Sequence, residues 1–416
     1  MRALIEQLYP WCRSITGEGT RQTLRAVQQR VGLTIREVPS GTAALDWTVP
    51  DEWNIRDGYI ATTRGERVVD FQRHNLHVVN YSEPVKQRVS RETLSQHIHF
   101  LDDQPDWIPY RTSYYNRTWG FCLSKRQWES MTETEYDVCI DATLEPGTLS
   151  YGERLLTGES PQEFVFTTHV CHPSLANDNL SGIAVATELV SRLSSRPHHY
   201  SYRFLFIPGT IGSLTWLSLN RERWPLIRGG MSLVCLGDHR PLTYKSSLHG
   251  DSMIDRAARS VLAQRQRGDQ VIDFFPFGYD ERQFNAPGIG IPFGSLMRGQ
   301  HGQFPEYHTS ADSLEFVSDA QLLDAVDACE SICQALDANP CFKNLAPFGE
   351  PQLGRRGIYR AMGGRSDLGE LTTAMLWVLQ LSDGQRTVLE MVERSKLPHE
   401  TVQRAVELLH ENKLIG

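Results

Sequence analysis

From residue 151 onward, short apolar runs alternate with amphipathic helical stretches, and this alternation restricts the fold more than any other feature of the sequence. Glu163 to Thr168 reads as a strand and Leu180 to Leu193 as a helix. Ser201 to Ile207 is a second strand, and a helix starts over Gly212 to Leu219. Met231 to Leu236 is a third strand, followed by a helix over Ser252 to Ala263. Strand–helix alternation at this spacing predicts a three-layer α/β/α sandwich with a largely parallel sheet. The helix Asp319 to Leu336 closes it.

The flanking segments have a different texture. Leu4, Ile5, Leu8 and Trp11 recur at helical spacing, and a second helical face carries Thr20, Leu24, Val27 and Val31, so residues 1 to about 40 read as helix. Between residues 46 and 149, aromatic and β-branched runs are punctuated by Pro50, Pro84, Pro105, Pro109 and Pro146, the pattern of a small β domain inserted into the α/β body. Thr372 to Leu381, Gln385 to Arg394 and His399 to Asn412 read as three short helices of a winged-helix-like unit. The expected division is an α/β domain over 1–45 and 150–340, the β insert over 46–149, a Pro/Gly/Arg-rich linker over 341–369, and the terminal unit over 370–416.

Composition excludes several classes. The chain has 416 residues, 40% hydrophobic and 22% charged, which rules out disorder as the main state. The net charge of −8 argues against wholesale binding to nucleic acid or to an anionic membrane. The terminal unit mixes Arg386, Arg394, Lys396 and Arg404 with Glu390, Glu393, Glu400 and Glu407, so it has no net basic face for DNA, and a dimerisation or lid role is expected instead. No apolar run approaches the roughly 18 residues of a membrane span, and the N-terminus lacks the apolar region of a signal peptide, so a cytoplasmic location is expected. None of the 8 cysteines forms a C-x-x-C pair, and Cys329 and Cys333, four apart on one helical face, are expected to be a reduced pair.

Three segments at strand ends carry chemistry. Thr167-Thr168-His169-Val170-Cys171-His172-Pro173 runs into Asn177-Asp178-Asn179-Leu180-Ser181-Gly182 at the start of a helix. Leu233-Val234-Cys235-Leu236-Gly237-Asp238 places a carboxylate just past an apolar strand. Glu306-Tyr307-His308-Thr309 precedes a helix-capping sequence at Asp312. Ligands of open α/β sheets bind beyond the carboxyl ends of strands, and imidazoles with carboxylates are the donor set of a catalytic zinc. Taken singly, each segment also reads as a cap, a turn or a loop histidine.

As a set, these segments resemble the zinc exopeptidases of the aminopeptidase-like superfamily. Asn177 to Gly182 is similar to the segment whose aspartate bridges two zincs, and His169 or His172 to the first histidine ligand. Asp238 is similar to the later aspartate ligand, and Tyr307-His308 to the final histidine ligand. Tyr279-Asp280-Glu281-Arg282-Gln283-Phe284 with Gly290-Ile291-Pro292 matches the stretch before it. Arg13-Ser14-Ile15-Thr16-Gly17-Glu18-Gly19, Trp47, Trp53 and Cys171-His172-Pro173 extend the resemblance to a branch with an inserted β domain and a C-terminal winged helix, often linked to polysaccharide or natural-product biosynthesis.

Two departures stand out. The orienting aspartate two residues after the first histidine is Cys171 here. The two adjacent glutamates of the zinc aminopeptidases, one a general base and one a ligand, are replaced in the segment Pro208-Gly209-Thr210. Glu281 and Glu306 are the nearest candidates for a replacement base, and Glu281 is the expected one. The resemblance implies one or two zinc ions on His172 or His169, Asp178, Asp238 and His308. Arg282, Arg298 and Tyr307 are the expected substrate contacts, because arginine forks suit carboxylate and phosphate. The expected activity is hydrolysis of an amide in a small peptidyl or aminoacylated metabolite. A non-catalytic binder of a metabolite or sugar, and a metal-dependent acyl transferase or cyclase, are the alternatives. A homo-oligomer is compatible with this reading.

Overall fold

The computed structural model describes residues 1–358 and 369–416 and divides into two units, Met1–Cys333 and Gln334–Gly416. The first unit is built on an eight-stranded sheet. Its centre is parallel: Glu163–His169 lies between Ser201–Ile207 and Ile227–Leu233, and Phe293–Met297 follows on the far side of Ile227–Leu233. Glu163–His169 and Ser201–Ile207 are buried at every residue, as expected of strands covered on both faces. The edges are antiparallel, with Thr148–Leu156 and Thr34–Pro39 at one side and Thr243–Lys245 at the other, paired in parallel with Gln270–Ile272. The central strands run in the same direction, so their carboxyl ends converge on one rim.

Residues 1–40 are not wholly helical. Helices span Arg2–Leu8 and Glu18–Val31, and Gly32 then ends the second in a left-handed conformation at φ 67°. Thr34–Pro39 departs as an edge strand of the large sheet. Its β-branched Thr34, Ile35 and Val38 favour this extended path once the helix stops.

The 46–149 region forms a four-stranded antiparallel sheet in the order Arg67–Asp70, Glu52–Thr62, Glu135–Glu145, Val85–Ser90. Its buried face does not close on itself. Trp53, Tyr136, Val138 and Ile140 belong to the same apolar cluster as Val165, Leu205, Ile207 and Phe293 of the large sheet. The insert and the α/β body therefore share one core, which fixes the insert's loops relative to the strand ends.

In the second unit, Glu370–Leu381, Val388–Ser395 and His399–Glu411 are helices around a core that includes Met375, Val378, Met391, Val402 and Leu409. The expected helix from Gln385 begins later. Asp383–Thr387 is a strand paired with Cys341–Lys343, and a Thr387–Glu390 capping box starts the helix after it. The start of the expected linker is thus a strand, and residues 359–368 lie outside the described residues.

Candidate metal centre

The strand Glu163–His169 delivers His169 at its last residue, and the following loop turns back to bring His172 alongside. The two imidazole centroids are 4.6 Å apart. Arg13 holds this loop. Its guanidinium, fully buried, donates from Nε to the carbonyl of His172 at 2.8 Å and from Nη1 to that of Leu8 at 2.5 Å.

Asp178 enters from the turn Ala176–Ser181, in which the peptide bond to Asn179 is cis. Asp312 shapes that turn, its two carboxylate oxygens accepting the backbone N–H groups of Asn177 at 2.5 Å and of Asp178 at 2.8 Å. Asp312 thus caps the turn that carries Asp178, not the helix that follows it in sequence. Asp178 in turn sits between two imidazoles. Its Oδ1 is 2.8 Å from His169 Nε2, and its Oδ2 is 2.9 Å from His308 Nε2. The second approach lacks hydrogen-bond geometry, and both of its atoms, with His169 Nδ1, are buried without a hydrogen-bond partner. Ligating atoms of His169, His172 and Asp178 all lie within 4.8 Å of one another. His308 faces His172 at 5.2 Å between ring centroids.

The electrostatics suit cation binding. Burial holds His172 well below the ordinary imidazole range, so it stays neutral and can ligate. Burial alone would raise the Asp178 carboxyl, but His172, His169 and His308 more than offset it and hold it well below the usual carboxylate range. Imidazoles gathered around one ionised carboxylate, with ligating atoms left unpaired, fit a divalent metal of the zinc type.

The other expected site residues lie around this cluster, several of them engaged by protein groups. Asp238 is buried beside the cluster, but its oxygens accept from Asn177 Nδ2 at 2.9 Å and from the backbone of Arg240 at 2.8 Å, with the Arg240 guanidinium at 3.2 Å. It organises its own loop and stands outside the three-residue group. Glu281, expected as the base, is buried against Lys245, whose Nζ donates to it at 2.5 Å, and it also accepts from the backbone of Tyr279 at 3.0 Å. Its charge is neutralised inside the fold and not presented to a substrate. Arg298, expected at the substrate, donates to the carbonyls of Leu236, Arg240 and Gln321 and pairs with Asp324 at 2.7 Å. Its fork is spent on protein groups. Tyr307 stacks on His308 with centroids 3.9 Å apart. Arg282 is exposed at a cavity of about 780 Å³ that adjoins the cluster at Tyr279 and Gly209.

Three further residues stand at the cluster without having been given a role from the sequence, and only Tyr110 lay outside the motifs named there. Tyr110, from the insert, packs its ring 5.1 Å from that of His172 and 5.0 Å from that of His308. No local pattern marks it, since it lies on a loop brought in by long-range pairing. Tyr279 was legible only as part of a motif. Its ring lies 4.4 Å from that of His169, and its hydroxyl is 3.2 Å from Cys171 Sγ. Asp280 accepts from the backbone of Thr210 at 2.9 Å and from Ser213 Oγ at 2.8 Å, and burial raises its carboxyl to about 6.

A parallel sheet core with a His/Asp cluster at its carboxyl rim defines an aminopeptidase-like scaffold, and known structures agree. The chain aligns with the zinc aminopeptidase BSAP of Bacillus subtilis at 16% identity and a TM-score of 0.58, over 80% of this chain and 93% of that one. It belongs to the family described as a domain of unknown function, DUF4910, whose model matches residues 2–339, and a winged helix-turn-helix model matches residues 340–416. A Clostridium acetobutylicum protein, provisionally named a polysaccharide biosynthesis protein with an aminopeptidase-like domain, is 44% identical over 99% of this chain and 95% of its own length. A crystal structure of a protein from the same organism, provisionally named a peptidase, superposes with a TM-score of 0.82 at 42% identity, covering 100% of this chain and 95% of that one. Among the described residues, no helix is long and apolar enough to cross a membrane.

Proposed function

We propose that this chain is a zinc-dependent amide hydrolase acting on a small aminoacylated or peptidyl metabolite within a biosynthetic route. The observation that carries the reading is the placement of Asp178 between His169 and His308, beside His172, with Asp178 Oδ2 and His308 Nε2 buried and unpaired. His169, His172, Asp178 and His308 would hold the metal. The chemistry such a metal supplies is polarisation of the amide carbonyl and acidification of a water molecule.

The chain's own groups supply the rest. Burial raises the Tyr279 phenol well above its ordinary range, so it remains a hydrogen-bond donor beside the reacting groups. Asp280 replaces Glu281 as the proton carrier. It lies in the same turn, has no lysine partner, and its carboxyl near 6 is close to the operating range of a general base. The name of the Clostridium relative supports a biosynthetic setting.

The test is turnover of a panel of amino-acid amides and dipeptides by the full chain, before and after chelation and zinc re-addition. Hydrolysis that disappears with chelator and returns with zinc supports the reading, and so does its loss in Asp280→Asn with metal retained. A metal-replete protein inert on the whole panel contradicts it. The absence of a carboxylate at Gly209 favours a second reading, a non-catalytic metabolite binder, which that inert outcome would support.

A further inference from the structure

The cavity beside the cluster has a chemical character of its own. At about 780 Å³ it is far larger than a single amino-acid side chain needs and falls in the size range of small-molecule sites. Its walls include Trp47 and Tyr115 from the insert and Leu248, Phe274 and Tyr279 from the α/β body. Trp47, Tyr115 and Leu248 are 43%, 48% and 45% exposed, so large apolar faces stand open to water on a concave surface. Trp47 and Tyr115 meet edge to face at 5.4 Å, the geometry of an aromatic slot rather than a smooth aliphatic wall.

The charge in this cavity has one sign. Arg282 is the only cation among the lining residues, and no aspartate or glutamate lines it. Its sequence neighbour Glu281, the obvious ion-pair partner, is engaged by Lys245. Arg282 itself is exposed and makes no ion pair among the described residues. An unpaired guanidinium at the edge of an aromatic slot recognises a compact oxyanion and offers nothing to an amine.

We propose that this cavity binds the non-reacting part of the substrate, an aromatic body bearing one carboxylate or phosphate that pairs with Arg282. Trp47 and Tyr115 cover the ring, and Tyr279, shared by the cavity and the cluster, marks the end toward the reacting bond. The inference deepens the amide-hydrolase reading by naming its substrate class, and rests on that reading only for which end of the ligand faces His169.

The test is equilibrium binding to the full chain, with and without chelator, of four matched probes: naphthylacetate, naphthyl phosphate, neutral naphthylacetamide and cationic naphthylmethylamine. Neither turnover nor metal content enters the readout, so failure of the hydrolase reading leaves this result standing. At least one anion is expected to bind about tenfold more tightly than the amide, and the amine most weakly. The tighter anion identifies the oxyanion. Arg282→Gln should abolish the preference for the anion without changing thermal stability, and Trp47→Ala should weaken anion and amide together. Equal binding of amide and anions, a preference that survives Arg282→Gln, or no binding of any probe at millimolar concentration would overturn the proposal.

Discussion

Gly209 and Tyr279 share one volume: a Cβ on Gly209 would lie 1.7 Å from Tyr279 Cε1 and 2.0 Å from its hydroxyl oxygen. Position 209 is therefore closed to any side chain while Tyr279 stands there. Gly209 and the phenol of Tyr279 therefore form one packing unit. Cys171 completes it, accepting from the Gly209 backbone at 3.3 Å and lying 3.2 Å from the Tyr279 hydroxyl.

Gly209→Ala should destabilise the fold by about 1–3 kcal/mol, the range for forcing atoms into a filled interior. In a Tyr279→Ala background the same substitution should cost far less, because the clashing ring is gone. Chemical denaturation of the four proteins of this double-mutant cycle measures the coupling. Equal penalties in both backgrounds would show that the two residues do not compete for space.

Glu281 and Lys245 form a buried pair, with side chains 0% and 1% exposed. Removing one partner leaves an uncompensated charge, so Glu281→Gln should cost roughly 3–5 kcal/mol in stability. The double variant Lys245→Met with Glu281→Leu should recover much of this, measured by urea unfolding. A stable Glu281→Gln protein that has lost only turnover would return Glu281 to the role of base.

Arg13 is a third buried charge, and its contacts explain its place in the N-terminal motif. Burial lowers its guanidinium to about 10, and its partners are the carbonyls of His172 and Leu8. Arg13→Gln should cost about 2–4 kcal/mol by leaving buried acceptors unpaired, and should weaken metal retention by loosening the His172 loop. Thermal unfolding and metal affinity, measured together, test the two effects.

Stability should also fall in acid through Glu52. Burial alone would raise this carboxyl, but Arg21, Asn54 and the Thr148 backbone hold it at about 2, below its ordinary 4.5. A depressed folded-state value contributes stability that is fully present above 4.5 and is lost as pH falls toward 2. Glu52→Gln should flatten the stability–pH curve in that window, and an unchanged curve would remove this pair as its cause.

The parts of this molecule that were legible in the sequence are those governed by local periodicity. The central strands and helices announce themselves through continuous apolar runs and helical spacing, as in Glu163–His169 and Gly182–Leu193. The His169, His172 and Asp178 cluster was visible because it lies within ten residues of one strand end. What was hidden depends on pairing between distant residues. Asp238 and Glu281 carry the right chemistry at plausible positions, yet Asn177, 61 residues from Asp238, and Lys245, 36 residues from Glu281, donate to them, and neither pairing shows in a linear motif. Tyr110 is held at the histidines by its backbone N–H, which donates to the carbonyl of His308 at 2.7 Å beside the Pro109–Thr309 bridge. The edge strand Thr34–Pro39 was masked by the helix that precedes it.

Elemental analysis of chelator-free protein beside Asp178→Asn asks whether His169, His172, Asp178 and His308 form a metal site. At least one equivalent of zinc per chain is expected in the wild-type protein and none in the variant, with the fold retained. Wild-type protein that takes up no metal even when zinc is supplied would contradict it.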